Sequence, residues 1–195
     1  MTDRAVLSAG RDGVIECYVV TMLSIDAWLD EKPYKELYDG VVHEKVSAQR
    51  THAIVAVHLA GRLEAWADRR GEVGVEWRVY LAEGTTLVPD VAFFSNERLA
   101  QLSKLEREKP PFSPDIAVEI RSPDDRERNI RRKTELYLAH GAKTVLNVDP
   151  FQRAVRVSDS EAELTLRVGE TVWHPAFPDL QIPVSEIFAP LDRKI

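Results

Sequence analysis

The chain has 195 residues, 44% of them hydrophobic and 30% charged, with a formal net charge of −6. That length suits one domain able to bury a core without staples, and no apolar run approaches a membrane span. Cys17 is the only cysteine, which excludes an internal disulfide and a cysteine zinc cluster.

The opening "MTDRAVLSAGRDG" lacks a signal-peptide core, so a cytoplasmic location is expected. Residues 1–20 read as an extension, in which "VIECYVV" has the composition of an added strand. Ser24 suits the N-cap of a short helix, "SIDAWLDEK". In "YKELYDGVVHEKV" the pair Asp39-Gly40 lies between two extended runs, a strong hairpin signal. Val55, Leu59, Leu63 and Trp66 recur at helical spacing and predict a helix over about 51–70, stopped by Gly71.

Three strands follow: "VGVEWRVYL", "LVPDVAFFS" and "PDIAVEIRS". A charged, proline-ended excursion with one short helix separates the last two. A second long helix is predicted over about 125–139, after "SPDD", whose acids suit a helix N-terminus. Gly141 ends it and "KTVLNVDP" is then a strand. "RAVRVS", "ELTLRV" and "VWHP" are short antiparallel strands, and "PVSEIF" closes as a helical turn.

Side chains in a strand alternate faces. Asp90, Ala92 and Phe94 therefore share one face, and Asp115, Ala117, Glu119 and Arg121 share another. Each of Asp90 and Glu119 has an alanine two positions away, which leaves room for an ion and a substrate. If the strands pair in register, the two carboxylates converge and supply oxygen ligands of the kind Mg²⁺ takes. A capping or solvated aspartate at a strand start would also explain Asp90. Glu119 interrupts a buried strand and needs a cation, a metal or an arginine.

The next segment is unusually basic. Residues 121–133 carry six basic groups against three acids, a local +3 that leaves −9 for the rest. Ile130, Lys133, Thr134 and Tyr137 follow the i, i+3, i+4, i+7 pattern, so Lys133 lies on or beside the core-facing stripe. It either reaches the carboxylates or snorkels to water. Arg126, Arg128, Arg131 and Arg132 lie mostly on other faces, to contact phosphates or to balance the local acids.

Pro89-Asp90, then "VEIRSP", then "RRKTELYLAHGAKTVLNVDP" resembles the Uma-two family of restriction-endonuclease-like proteins, within the PD-(D/E)XK nuclease superfamily. The likeness runs from "SIDAW" to "FPDLQIPVSEIF". It implies an α/β fold for residues 21–195 as a single domain. Its restriction-endonuclease-like core would be helix, three strands, helix, strand, with an N-terminal helix and hairpin and C-terminal antiparallel strands.

By that resemblance Asp90 and Glu119 are the metal-binding acids, with the Ile120 carbonyl as a third ligand for Mg²⁺ or Mn²⁺. The superfamily's usual lysine position holds Arg121, which cannot act as a proton-transfer group but can hold a phosphate, as can Arg131. Lys133 takes the lysine's place from the following helix. Glu36 and His52 are further site residues, with a hairpin-strand role and a core or capping role as their respective alternatives. The expected activity is Mg²⁺-dependent hydrolysis of phosphodiester bonds, in DNA, by a homodimer. The rivals are an inactive binding or assembly protein on the same fold and an enzyme for another phosphate ester.

Overall fold

The computed structural model describes residues 34–45 and 49–193, together with the backbone of Arg4–Ala9 and Ile15–Val20. Those two stretches are strands β1 and β2. The helix expected after Ser24 lies outside the described residues. β3 (Lys35–Tyr38) and β4 (Val41–Glu44) form the expected hairpin. Its turn needs left-handed backbone at both central residues, and Asp39 and Gly40 supply it with φ of 53° and 74°.

Helix α1 spans Arg50–Ala67 and buries Val55, Leu59 and Leu63 completely. It ends earlier than its glycine suggested, because Asp68 takes a positive φ (46°) instead. Gly71 opens β5 (Gly71–Val75). A β-carbon there would meet the Phe94 carbonyl oxygen at 2.1 Å and the Phe93 ring at 2.6 Å.

Two of the expected strands are each divided between sheets. "VGVEWRVYL" breaks at Glu76 (φ 51°) into β5 and β6 (Val79–Ala82). "LVPDVAFFS" breaks around Pro89-Asp90 into β7 (Thr85–Leu87) and β8 (Val91–Ser95). Proline lacks the N–H that a continuous ladder requires. The excursion holds two short helices, α2 (Asn96–Leu99) and α3 (Lys104–Glu108). Next come β9 (Ile116–Ile120), α4 (Glu127–Ala139) and β10 (Thr144–Asp149). Gly141, at φ 96°, turns the chain after α4. β11 (Ala154–Ser158), β12 (Glu163–Arg167), β13 (Thr171–His174), β14 (Phe177–Pro183) and α5 (Val184–Phe188) complete the chain, followed by a 3₁₀ turn.

One six-stranded sheet runs β2-β1-β4-β3-β7-β6, the other β12-β11-β10-β9-β8-β5, and β13 pairs with β14. β9 and β10 are parallel, joined across α4, while β8 is antiparallel to both β5 and β9. The core order of helix, three strands, helix and strand is thus α1, β5, β8, β9, α4, β10. Strand alternation divides the second sheet's side chains between two cores. Val91, Phe93, Ile116, Val118 and Ile120 pack with the buried stripe of α1. Ala92, Phe94, Ala117 and Val145 pack with Leu136 and Tyr137 of α4 and with β6 and β7 of the first sheet. Among the described residues no helix is long and apolar enough to cross a membrane.

Two glycine substitutions should separate close approach from helix propensity. Gly71→Ala should cost about 1–3 kcal/mol, since the obstructing atom is backbone. Gly61→Ala, inside α1 with nothing within 4 Å of the new carbon, should stabilise by about 0.5–1 kcal/mol. Urea melts of both variants check the pair.

Candidate active site

Val91 faces Val118 and Ala92 faces Ala117 across β8 and β9, so the next rung sets Asp90 opposite Glu119. Asp90 sits where the chain crosses from the first sheet to the second, and it is 4% exposed. Its Oδ1 meets the Lys45 ammonium at 2.6 Å. Its Oδ2 pairs with His52 Nε2 at 3.0 Å and accepts the Ile120 N–H at 2.6 Å. Burial alone would raise this carboxyl, but Lys45 and His52 hold it well below the usual carboxylate range.

Glu119 is held from the α4 side. Lys133 Nζ donates to its Oε2 at 2.6 Å and the Tyr137 hydroxyl to its Oε1 at 2.7 Å. Lys133 also lies 3.0 Å from Glu36 Oε1, which accepts the Val88 N–H at 2.8 Å. Burial pushes the Glu119 carboxyl up to about 7, with Lys133 opposing and the charges on Asp90 and Glu36 adding to the rise. Lys133 shifts the other way. Burial would lower its pKa, yet Glu119 and Glu36 keep it well above that of a free lysine.

Asp90, Glu119, Glu36, Lys45, His52 and Lys133 line a cleft of about 350 Å³ that also contains Arg121, Arg156, Asn147 and Asp149. Arg121 Nη1 is 3.5 Å from both Glu127 and Asp149. Arg131 lies outside the lining. It pairs with Glu127 at 3.1 Å and Glu163 at 3.7 Å. Of the residues expected from the sequence, Asp90, Glu119, Ile120, Lys133, Glu36, His52 and Arg121 come together here.

Lys45 escaped the sequence reading, as did the contact of Tyr137 with Glu119. Lys45 follows β4 directly, and its only local signal is a cation at the end of a hairpin. Tyr137 could be found by asking which α4 residue lies one turn beyond Lys133.

A model of the Uma2 family, described as "Putative restriction endonuclease", matches residues 23–185. The chain belongs to the Uma2 family. The crystal structure of a putative nuclease belonging to DUF820 from Anabaena variabilis ATCC 29413 has the same fold. It superposes with a TM-score of 0.76 at 20% identity, covering 84% of this chain and 96% of that one. No curated protein matches.

The donor chemistry of the Uma2 site suits an ion that takes oxygen. Among the described residues no three His, Cys, Asp or Glu side chains form a metal-binding group, which disfavours a closed all-protein cage. Magnesium is typically held by one or two carboxylates with water and substrate oxygens completing its shell. Asp90, Glu119 and the Ile120 carbonyl fit that requirement. With all three carboxylates ionised and His52 neutral, the two ammonium groups leave one negative charge.

Titration of Glu119 should be visible in stability. The folded carboxyl takes up its proton near pH 7, against a reference value of 4.5. The folded state therefore binds the extra proton between those values, and stability falls as pH rises through that window. Asp90 acts in the opposite sense and lower, its contribution being lost as pH falls below about 3.8. In EDTA, Glu119→Gln should flatten the slope between about pH 4.5 and 7. Lys133→Met strands two carboxylates and should cost about 3–5 kcal/mol at neutral pH, recovering on acidification. Denaturant melts across that range measure both effects.

Proposed function

We propose that this chain is a Mg²⁺- or Mn²⁺-dependent nuclease that hydrolyses phosphodiester bonds, with DNA as its substrate. The observation that carries the reading is the pairing of Asp90 with Glu119 across one rung, with Lys133 brought to Glu119 from the next helix. Membership of a family described as restriction endonucleases supports the same reaction class.

Asp90 and Glu119 would hold the ion, with the Ile120 carbonyl beside them. A bound divalent ion polarises a phosphoryl oxygen and lowers the pKa of water. Lys133, kept protonated by its two carboxylates, serves as a hydrogen-bond donor and positive charge toward the phosphate rather than as a base. Arg121, 30% exposed and held only at 3.5 Å, is free to turn toward an adjacent phosphate. Lys45 and His52 orient Asp90.

A second reading has its own observation. All four oxygens of Asp90 and Glu119 already meet a protein donor, as they would in an inactive binding protein on this fold. Plasmid DNA, single-stranded DNA, RNA and bis(p-nitrophenyl) phosphate, each with Mg²⁺, Mn²⁺ or EDTA, separate these readings. We expect DNA cleavage that EDTA abolishes and that Asp90→Asn or Glu119→Gln lowers roughly 100-fold or more. Failure to cleave any substrate, with no Mg²⁺ or Mn²⁺ binding by calorimetry, would favour the binding protein. Faster turnover of the small ester than of any nucleic acid would redirect the substrate assignment.

A further inference from the structure

Asn147 belongs to none of the roles above, yet it occupies β10 directly beside Glu119. The parallel register pairs the two residues, so both side chains rise from the same sheet face, and Asn147 lines the cleft. It is only 8% exposed. A buried primary amide needs partners at both ends.

One end is fixed by a relay. The Thr134 hydroxyl donates its only proton to the Ile130 carbonyl, at 2.9 Å. Its oxygen can then only accept from Asn147, whose Nδ2 lies 2.9 Å away. With the hydroxyl proton on Ile130, the network assigns the amide its orientation, the NH₂ on Thr134 and Oδ1 turned away from it. Oδ1 is buried and has no hydrogen-bond partner among the described residues. The neighbouring donors are directed elsewhere: Lys133 to Glu119 and Glu36, Tyr137 to Glu119, and Arg156, the cross-strand neighbour of Asn147 on β11, to Glu127 at 2.7 Å.

An acceptor held this rigidly, buried and without a protein donor, is completed by a water molecule, the smallest donor available to it. We propose that Asn147 is a positioning residue. Its Oδ1 holds a water next to Glu119, and that water is the one presented to the phosphodiester. The second half rests on the nuclease reading; the first does not. In hydrolysis the water oxygen forms the new bond to phosphorus as the ester P–O bond breaks. The leaving oxygen takes one proton and the other passes to solvent. Asn147 takes no proton. It orients a lone pair of the water by accepting one of its O–H groups.

The test compares wild type with Asn147→Leu, which removes the acceptor at similar volume. In wild-type crystals we expect an ordered water within about 3.2 Å of Oδ1 and within the same reach of Glu119. A dry Oδ1, or one bonded to a protein group, overturns the proposal. Asn147→Leu should lower kcat roughly 10- to 100-fold with KM within about twofold and a melting temperature no lower than wild type. Unchanged kcat, or a fall in melting temperature that accounts for the lost activity, assigns a structural role and overturns it. If wild type cleaves no nucleic acid, the nuclease reading fails, and the crystallographic result still decides whether Asn147 holds the water.

Discussion

Two ammonium groups hold three carboxylates where little water reaches them, and the surrounding elements are placed by that requirement. Asp90 and Glu36 are 4% and 5% exposed. An ion pair so buried is tolerated only when its geometry is good and its remaining polar atoms are bonded. Here Glu36 comes from β3, Lys45 from just after β4, Asp90 from before β8, Glu119 from β9 and Lys133 from α4. The network therefore spans both large sheets and the helix between β9 and β10. Displacing any one of them strands a charge on its neighbour.

The crossing between sheets shows how tightly backbone and site are joined. Between β7 and β8 the chain leaves one ladder for the other at Val88-Pro89-Asp90. Proline offers no N–H there, and the polar groups of Val88 need partners outside a ladder. Both find them in charged side chains: Glu36 accepts the Val88 N–H at 2.8 Å and Lys45 donates to the Val88 carbonyl at 2.6 Å. Glu36 and Lys45 thus fix the backbone that presents Asp90 while also balancing the charges around it. Their structural and electrostatic roles are one arrangement.

Strand alternation made the central pair legible. Each of Asp90 and Glu119 shares its strand face with an alanine two positions away, and the two carboxylates converge once β8 pairs with β9 in register. Helical spacing likewise put Lys133 on the inward stripe. What the sequence withheld depends on long-range order. Lys45 reaches Asp90 only because β3 lies next to β7 in the first sheet and brings the end of β4 with it, and no local pattern encodes that order. The divided strands were hidden for a related reason. "VGVEWRVYL" has strand composition throughout, and its break comes from left-handed backbone at Glu76, a residue with no turn propensity to announce it. Gly71 offered the opposite lesson, since its freedom serves a close approach to Phe94 rather than a helix end.

Arginine at position 121 suits this setting. A lysine on the strand would share the ladder end with Asp149 and Glu127, both within 3.5 Å of the Arg121 guanidinium. Arginine can serve two carboxylates at once with its fork of donors, so it suits that crowded rim. The ammonium then arrives from α4, one turn before Tyr137, and meets Glu119 from above the sheet face. Anchored by Glu36 as well, it cannot swing freely. A cation fixed in advance needs little reorganisation when negative charge develops beside it, which is where electrostatic catalysis gains most. The same anchoring keeps its proton in place, so in the proposed hydrolysis a proton taken from water would go elsewhere. Under the proposed nuclease reading, charge stabilisation would fall to Lys133 and proton acceptance, which no ammonium so paired can perform, to another group.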